Sequence, residues 1–351
     1  MIFGLESSCD ESAVALFRPE VGLCGEWIQT QIEKHQEYGG IVPDLASREH
    51  LINFPFVLNP AIQALDGEKP RLIAVTSGPG LAGCLALGVS AAKALALAWG
   101  CPLVGVNHLR GHAFSPFIER HREDPEGFES NFKRLLPHLG LIVSGGNTIL
   151  FEINEAREIE IIAETVDDAA GEALDKGAKL LGMAYPGGPL IEKKATGGDP
   201  AKYDFPRAFL TSGEPKFSFS GLKTSLRYQV EKLSDVEWEL ELPHLCASYE
   251  EAVVDALAGK MRQIIRKDRQ RWRSLGLSGG VANNGRLRER IMKLGAKQQM
   301  EVLIAERHHT GDNAGMIAFA AWMDPANTRL DSGETPLVFE PNWELTRSDS
   351  R

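Results

Sequence analysis

The chain alternates short apolar runs with amphipathic or small-residue stretches, and it does so twice. IFGLE at 2–6 gives way to the polar SSCDES at 7–12 and resumes as AVALF at 13–17. LGLIV at 139–143, SGGN at 144–147 and TILFEI at 148–153 repeat that strand–loop–strand plan. A second echo joins RLIAVTS (71–77), Gly78-Pro79-Gly80, a small-residue helix over about 84–99, a strand at 102–106 and a helix from His108. Its counterpart is the strand at 274–278, Gly279-Gly280, a helix around 285–294, a strand at 301–305 and a helix over about 312–323. Strands alternating with helices imply an α/β architecture with mainly parallel, doubly wound sheet. Glycine pairs directly after strands let the backbone approach a ligand closely.

Two such halves, facing each other across a cleft lined by the Gly loops and the polar hairpins, make the plan of actin-like ATPase and sugar-kinase folds. The boundaries predicted are 1–125 for the first domain and 135–324 for the second. Residues 325–351 are expected to pack back on the first. The polar run 121–138, with Pro125 and Gly127, reads as the connection. The Gly-, Pro- and Lys-rich stretch 185–245 reads as a helical or loop-rich insertion in the second domain.

Length and composition agree with two ordinary domains: 351 residues, 43% apolar and 25% charged. No apolar run approaches the roughly 20 residues of a membrane span, and the N-terminus starts as a strand and not as a leader. A cytoplasmic location without membrane contact is therefore expected. The five cysteines form no C-x-x-C pair and read as free thiols. A net charge of −10 means that any nucleic-acid contact needs a local basic patch or basic partners. The most basic stretch, Lys260–Arg273, is either a solvated helix face or such a patch.

His108 and His112 in NHLRGHAF stand at i, i+4, which puts both imidazoles on one helix face. Such a pair suits a zinc or iron ion, although surface or capping histidines are the ordinary case. Leu109 occupies the position where the HExxH proteases carry their basic Glu, so hydrolysis of that kind is not indicated. The matching helix of the second half begins with Asp312, which a face-to-face arrangement brings opposite the pair. Two His and one carboxylate leave coordination positions open for a substrate. His308 and His309 read as solvated loop residues. Asp10 and Glu11, in the first hairpin loop, are turn residues, or beside a metal a general base. The Gly pairs at 145–146 and 279–280 offer backbone N–H groups to an anion. Asp175, on an amphipathic helix, is a candidate for ribose hydroxyls.

These motifs carry a resemblance that runs over most of the chain. GLESSCDESA (4–13), His35-x-x-Tyr38 through His50, GPGLAG (78–83), NHLRGH (107–112) and VSGGNT (143–148) lead it. DDAAGEALDKGAKLLG (167–182), YPGGP (185–189), FSFSGLKT (217–224), GGVANN (279–284) and GDNAGMIA (311–318) complete it. In that order they resemble the bacterial tRNA threonylcarbamoyladenosine synthase catalytic subunits, once called glycoprotein endopeptidases, with Kae-type counterparts in archaea and eukaryotes. The resemblance implies transfer of a threonylcarbamoyl group from threonylcarbamoyl-AMP to the exocyclic amine of the adenosine 3′ of the anticodon in tRNAs reading ANN codons. It implies His108, His112 and Asp312 as ligands of one divalent metal ion, iron, with zinc the alternative. It implies adenylate contacts at Ile142, Val143, Ser144, Gly145, Gly146, Asp175, Gly188, Glu192 and Asn284, and it gives Asp10 or Glu11 the proton-handling role. Implied partners are tRNA, a non-catalytic paralogous (TsaB-like) subunit and a small ATPase (TsaE-like) subunit. Two positions depart from the pattern: Asn147 stands where SGGHT has His, and Gly311 stands where the last motif has Thr, here displaced to Thr310. The rival readings are a small-molecule kinase of the same fold, which needs no His pair, and a scaffold paralogue, which would have lost the ligands.

Overall fold

The computed structural model describes residues 1–346. Among the described residues the chain divides into two compact units: Met1–Phe132 together with 305–346, and Lys133–Ile304. The first unit holds a six-stranded sheet built from β1 (Ile2–Glu6), β2 (Glu11–Arg18), β3 (Gly22–Thr30), β4 (Leu72–Gly78), β5 (Leu103–Asn107) and β12 (Arg329–Leu330), in the order β12-β5-β4-β1-β2-β3. The second unit has β6 (His138–Val143), β7 (Thr148–Ile153), β8 (Ile159–Thr165), β9 (Lys216–Phe217), β10 (Ser274–Ser278) and β11 (Glu301–Ile304), in the order β11-β10-β6-β7-β8-β9. The order 5-4-1-2-3 thus recurs as 11-10-6-7-8, and the two echoes in the sequence are one fold used twice. The doubled order is the plan expected of an actin-like fold. Each sheet is mixed. β4–β1 and β5–β4 pair parallel while β1–β2 and β2–β3 pair antiparallel, and β10–β6 and β6–β7 repeat the contrast. The mainly parallel sheet expected from strand–helix alternation is corrected, because the polar loops 7–10 and 144–147 are tight hairpins that force antiparallel neighbours.

Helices of the first unit are α1 (Ile32–Gln36), α2 (Pro43–Ala64), α3 (Ala82–Trp99), α4 (His108–Phe114), α5 (Ile118–Glu123), most of α6 (Phe128–Arg134), α12 (Arg307–Thr310) and α13 (Ala314–Met323). Those of the second are α7 (Ala170–Leu180), α8 (Gly187–Ala195), α9 (Ser220–Val230), α10 (Asp235–Lys267) and α11 (Gly285–Gln298). α3 is long and apolar enough to cross a membrane by length and composition. Here it lies on the first sheet with Leu85, Val89 and Ala92 buried. All five cysteines are free thiols.

Three expectations change. α12 and α13 belong to the first unit and not to a domain ending at 324. The reason is packing: α13 is apolar all round, with nine of its ten residues buried, and it lies on β1, β2 and α4. The run 121–138 does contain the boundary between the units, between Phe132 and Lys133, but its polar composition conceals buried aromatics. Phe128 and Phe132 are fully buried, and Phe128 stacks among His121, Phe319 and Trp322. In the basic run, Lys260 is 1% exposed and its Nζ donates to the carbonyls of Phe209 and Glu214, so it anchors the 209–214 loop. Met261, Ile265 and Trp272 in the run are buried as well, and residues 268–273 lead from the end of α10 into β10, at the opposite end of the strand from Ser278-Gly279-Gly280. The stretch 185–245 contributes α8, β9, α9 and the start of α10, and buries Phe205, Phe217, Phe219 and Leu226 in the second core.

The C-terminal segment packs on the first unit: β12 pairs antiparallel with β5, and Leu337 enters that core. Asn107 Nδ2 donates to the carbonyls of Trp343 and Glu344, at 3.2 and 3.1 Å.

The closeness of α13 to β1 depends on a missing side chain. A Cβ on Gly4 would lie 2.6 Å from the Ala314 carbonyl oxygen and 3.0 Å from Ala318 Cβ. Gly4→Ala is expected to push α13 outward at a cost of about 1–3 kcal/mol. Urea unfolding of the purified variant measures the cost, and unchanged stability would show that the helix is not held there by contact.

Candidate active site

α4 starts where β5 ends because Asn107 caps it. The Asn107 Oδ1 accepts the N–H groups of Leu109 (2.9 Å) and Arg110 (3.3 Å). The same side chain donates to the C-terminal segment, so the first turn of α4 is fixed from both sides. His108 and His112 then face the same way, with ring centroids 4.7 Å apart and planes at 87°. Gly111 between them allows α13 to approach, for a Cβ there would lie 3.0 Å from the side chains of Ile317 and Met316. Asp312, in the loop between α12 and α13, is thereby delivered to the pair from within the same unit, not from an opposing half as the sequence echo suggested.

Asp312 Oδ1 lies 3.3 Å from His108 Nε2 and 3.1 Å from His112 Nε2. Ligands bound at roughly 2.0–2.2 Å to one ion, at tetrahedral or octahedral angles, lie roughly 3.0–3.4 Å apart. The other face of His108 is held by Glu6. The Nδ1–H donates to Glu6 Oε2 at 3.1 Å, and Glu6 also accepts from Thr76 Oγ1 and from the Ser8 N–H. With its proton on Nδ1, a neutral His108 presents a lone pair to Asp312. Two acceptors so placed repel unless a positive charge lies between them. Burial opposes charge on His108, but Asp312 and Glu6 outweigh it and hold its pKa well above the ordinary value. Burial likewise raises Asp312, and the two imidazoles overcome it, leaving the carboxylate far below its usual range. His112 is pushed down by burial. Its Nδ1 is buried without a hydrogen-bond partner in the described structure. Two nitrogens and one oxygen within 4.8 Å of one another, around a spot that calls for positive charge, fit a divalent cation.

Asp10 and Glu11 adjoin this cluster. The carboxyl of Glu11 is raised well above the usual range, first by burial and then by the charges of Asp10 and Asp312 and a hydrogen bond shared with Asp10. Thr30 Oγ1 donates to Glu11 Oε1 at 3.3 Å, and the Gln31 N–H donates to the Asp10 carbonyl at 2.9 Å. His50 ties the same turn from α2, meeting the Cys9 carbonyl at 2.9 Å and Ser12 Oγ at 2.6 Å. His309, expected in solvent, is buried, whereas its neighbour His308 is exposed.

In the second unit the remaining candidates fall into two contacts and a turn. Ser144 and Asn147 close the β6–β7 turn, Ser144 N–H to the Asn147 carbonyl at 2.8 Å and Asn147 N–H to Ser144 Oγ at 3.1 Å. Gly145 and Gly146 are exposed, and a Cβ on either would meet nothing within 4 Å. The Ile142 and Val143 side chains are wholly buried in β6, so only their backbone can reach a ligand. Gly279, at φ +89, admits no side chain, since a Cβ would lie 2.3 Å from the Val143 carbonyl oxygen. Asp175 Oδ1 accepts the Gly187 N–H at 2.6 Å, beside Gly188 at the start of α8. Burial raises its pKa against the backbone N–H groups of Gly187 and Gly188. Glu192 Oε1 accepts the Gly285 N–H at 2.8 Å, which brings it next to Asn284. Asn284 caps α11 through Leu287 N–H at 2.9 Å, and its Nδ2 donates to the buried Glu250 at 2.5 Å. A small, mostly apolar cavity lined by Leu174, Val253, Val254 and Leu287 lies beside Asn284 and Glu250.

The family model of the tRNA N6-adenosine threonylcarbamoyltransferases, TsaD, matches residues 22–319. The chain belongs to this family. A tRNA N6-adenosine threonylcarbamoyltransferase of Anaeromyxobacter dehalogenans (strain 2CP-C) is 44% identical over 347 residues, covering 98% of this chain and 99% of that protein. Those of Methylobacillus flagellatus, at 39% over 352 residues (98% of each chain), and Thermosipho africanus, at 41% over 324 residues (92% and 93%), carry the same description. Among solved structures, full-length HypF in its phosphate- and nucleotide-bound form shares the fold, with a TM-score of 0.59 and 14% identity over 92% of this chain and 46% of HypF. HypF of T. kodakarensis is similar, with a TM-score of 0.55, 15% identity and 47% of that chain covered. This chain spans about half the length of those two proteins. As a TsaD-family enzyme it is a transferase acting on tRNA, and a kinase reading is not favoured.

Within this threonylcarbamoyltransferase, Glu6, Asn107 and Glu250 escaped sequence reading. Glu6 looks like the last residue of a strand, and Glu250 lies mid-helix beside Glu251 as one of a pair that reads as a solvated patch in an otherwise small and apolar stretch. Asn107 alone carried a signal, standing one residue before a helix as a cap should. Glu6→Ala removes the acceptor that sets the His108 tautomer and is expected to weaken zinc binding 10- to 100-fold. Calorimetric titration of the metal-free enzyme with zinc gives the affinity; a wild-type value would exclude this role.

Proposed function

We propose that this enzyme transfers threonylcarbamoyl from threonylcarbamoyl-AMP to N6 of the adenosine 3′ of the anticodon, in tRNAs reading ANN codons, with a divalent ion held by His108, His112 and Asp312. The observation that carries the metal is the convergence of both imidazoles on Asp312 Oδ1, with Glu6 behind His108. Iron is the ion we propose, with zinc able to use the same donors. Bound there, it supplies a Lewis acid that stabilises negative charge developing on donor oxygens.

The chain's own residues then divide the work. The N–H groups of Gly145 and Gly146, presented by the turn that Ser144 and Asn147 close, bind the donor phosphate. Asp175 and the start of α8 at Gly188 hold the ribose, and Asn284, with its amide oriented by Glu250 and Glu192 alongside, takes the adenine. The Asp10–Glu11 pair orients the attacking amine and accepts its proton. Two adjoining carboxyls resist double ionisation, so one stays in play as a proton carrier. The N6–carbamoyl bond forms, the bond from the carbamoyl carbon to the AMP oxygen breaks, and AMP departs with that electron pair. The adenine must leave its stack to react. A non-catalytic paralogous subunit and a small ATPase are the proposed partners. They would add basic surface to a chain of net charge −10, and the cytoplasm is the proposed location.

Transfer of labelled threonine from threonylcarbamoyl-AMP to tRNA, with and without the partner subunits, tests the reading. His108→Ala and His112→Ala are expected to lose bound metal and transfer while keeping the fold, and a metal-free variant with full activity would end the metal mechanism. Glu11→Gln is expected to lower kcat about 10²- to 10⁴-fold with metal content unchanged. Asp175→Ala is expected to weaken binding of the adenylate by about 1–3 kcal/mol; equal calorimetric affinities would remove Asp175 from the site.

A further inference from the structure

Asp312 sits in a short loop with no strand of its own, so something must hold it at the imidazoles. Asn313 holds the loop from one side, its Oδ1 accepting the Met316 N–H and its Nδ2 donating to the Gly311 carbonyl, each at 2.8 Å. Across the sheet edge, β3 contributes Glu26. Its Oε1 accepts the Gly315 N–H at 2.8 Å, in the first turn of α13. Glycine at 315 keeps this end of α13 close to β3, since a Cβ there would lie 2.8 Å from both Glu26 Oε1 and Leu23 Cδ1. Glu26 Oε2 lies 3.7 Å from Nδ1 of His309, an imidazole that is 5% exposed and whose Nδ1 has no hydrogen-bond partner in the described structure. Glu26 makes no ion pair with Lys or Arg among the described residues, and burial pushes its carboxyl up to about 7 against the Gly315 N–H. The grip therefore rests on the oxygen that accepts the Gly315 N–H, which an amide could also supply, while His309 packs beside it.

We infer that Glu26 is a positioning residue for the metal centre: it grips the N-terminus of α13 and thereby fixes where Asp312 stands relative to His108 and His112. This rests on the proposed role of Asp312 as a ligand. None of the motifs that suggested the site includes Glu26, which lies on β3 four positions before Thr30, the strand partner of Glu11.

The test is zinc titration of the metal-free full-length enzyme, followed by calorimetry, with circular dichroism and thermal melting recorded for every variant. Glu26→Ala is expected to weaken zinc about 10- to 100-fold, with kcat recovered at saturating metal and KM for tRNA unchanged. Glu26→Gln keeps an oxygen for the Gly315 N–H and is expected to retain wild-type affinity. Glu26→Asp, with the acceptor withdrawn by one methylene, is expected to fall between and serves if the alanine variant does not fold. A folded Glu26→Ala or Glu26→Asp variant that binds zinc as the wild type does, while His108→Ala does not bind it, overturns the inference. If His108→Ala itself binds zinc normally, the metal-site reading fails first and the inference falls with it.

Discussion

Everything at the His108–His112–Asp312 cluster depends on how closely α13 can lie against β1 and α4. Two glycines make that approach, Gly4 on the strand and Gly111 between the paired histidines, and α13 answers with Ala314 and Ala318. Close packing in a protein interior admits no slack, so a helix docked this tightly carries its preceding loop to a defined place. Asp312 is in that loop. The carboxylate reaches the imidazoles because small residues let backbone meet backbone.

The same crowding gathers charge. Glu6, Asp10, Glu11 and Asp312 collect around two histidines in a largely dry region. Such a set is unstable as four free carboxylates. It resolves itself by protonating His108, by raising Glu11, or by taking a cation. Chemistry that needs both an electrophilic stabiliser and a proton acceptor can use this imbalance. Glu6 is the quiet member of the set: by taking the Nδ1 proton of His108 it decides which nitrogen is available. The second unit solves a different problem, anchoring Asp175, Glu192 and Asn284 through backbone N–H groups at helix starts, where partial positive charge already favours acceptors.

How far the sequence could be followed differs by element. The paired Gly loops, the i, i+4 histidines and the strand–loop–strand echoes are local patterns with fixed periods, and each appears in the structure near its expected bounds. The family, too, was legible, because ten motifs in order exceed what any single spacing can say. The sheet direction was not. Alternation of strand and helix suggested parallel pairing, whereas hairpins four residues long dictated antiparallel neighbours. Phe128, Phe132 and Lys260 lie in runs that look polar by composition, yet each is buried, because burial is decided by what packs above a residue and not by the letters beside it.

By itself, then, the sequence determined the repeated α/β plan, the histidine pair, the aspartate that follows a helix-length later in the second echo, and the glycine turns, since these follow from periodicity and backbone geometry. Only the tertiary structure decided that Asp312 joins the histidines inside the first unit, that Glu6 holds His108 and Glu26 holds the start of α13, and that the C-terminal segment braces Asn107. Those contacts link residues 102, 289 and 236 positions apart. No local period encodes such separations; they exist only once apolar faces have found each other and closed the chain around them.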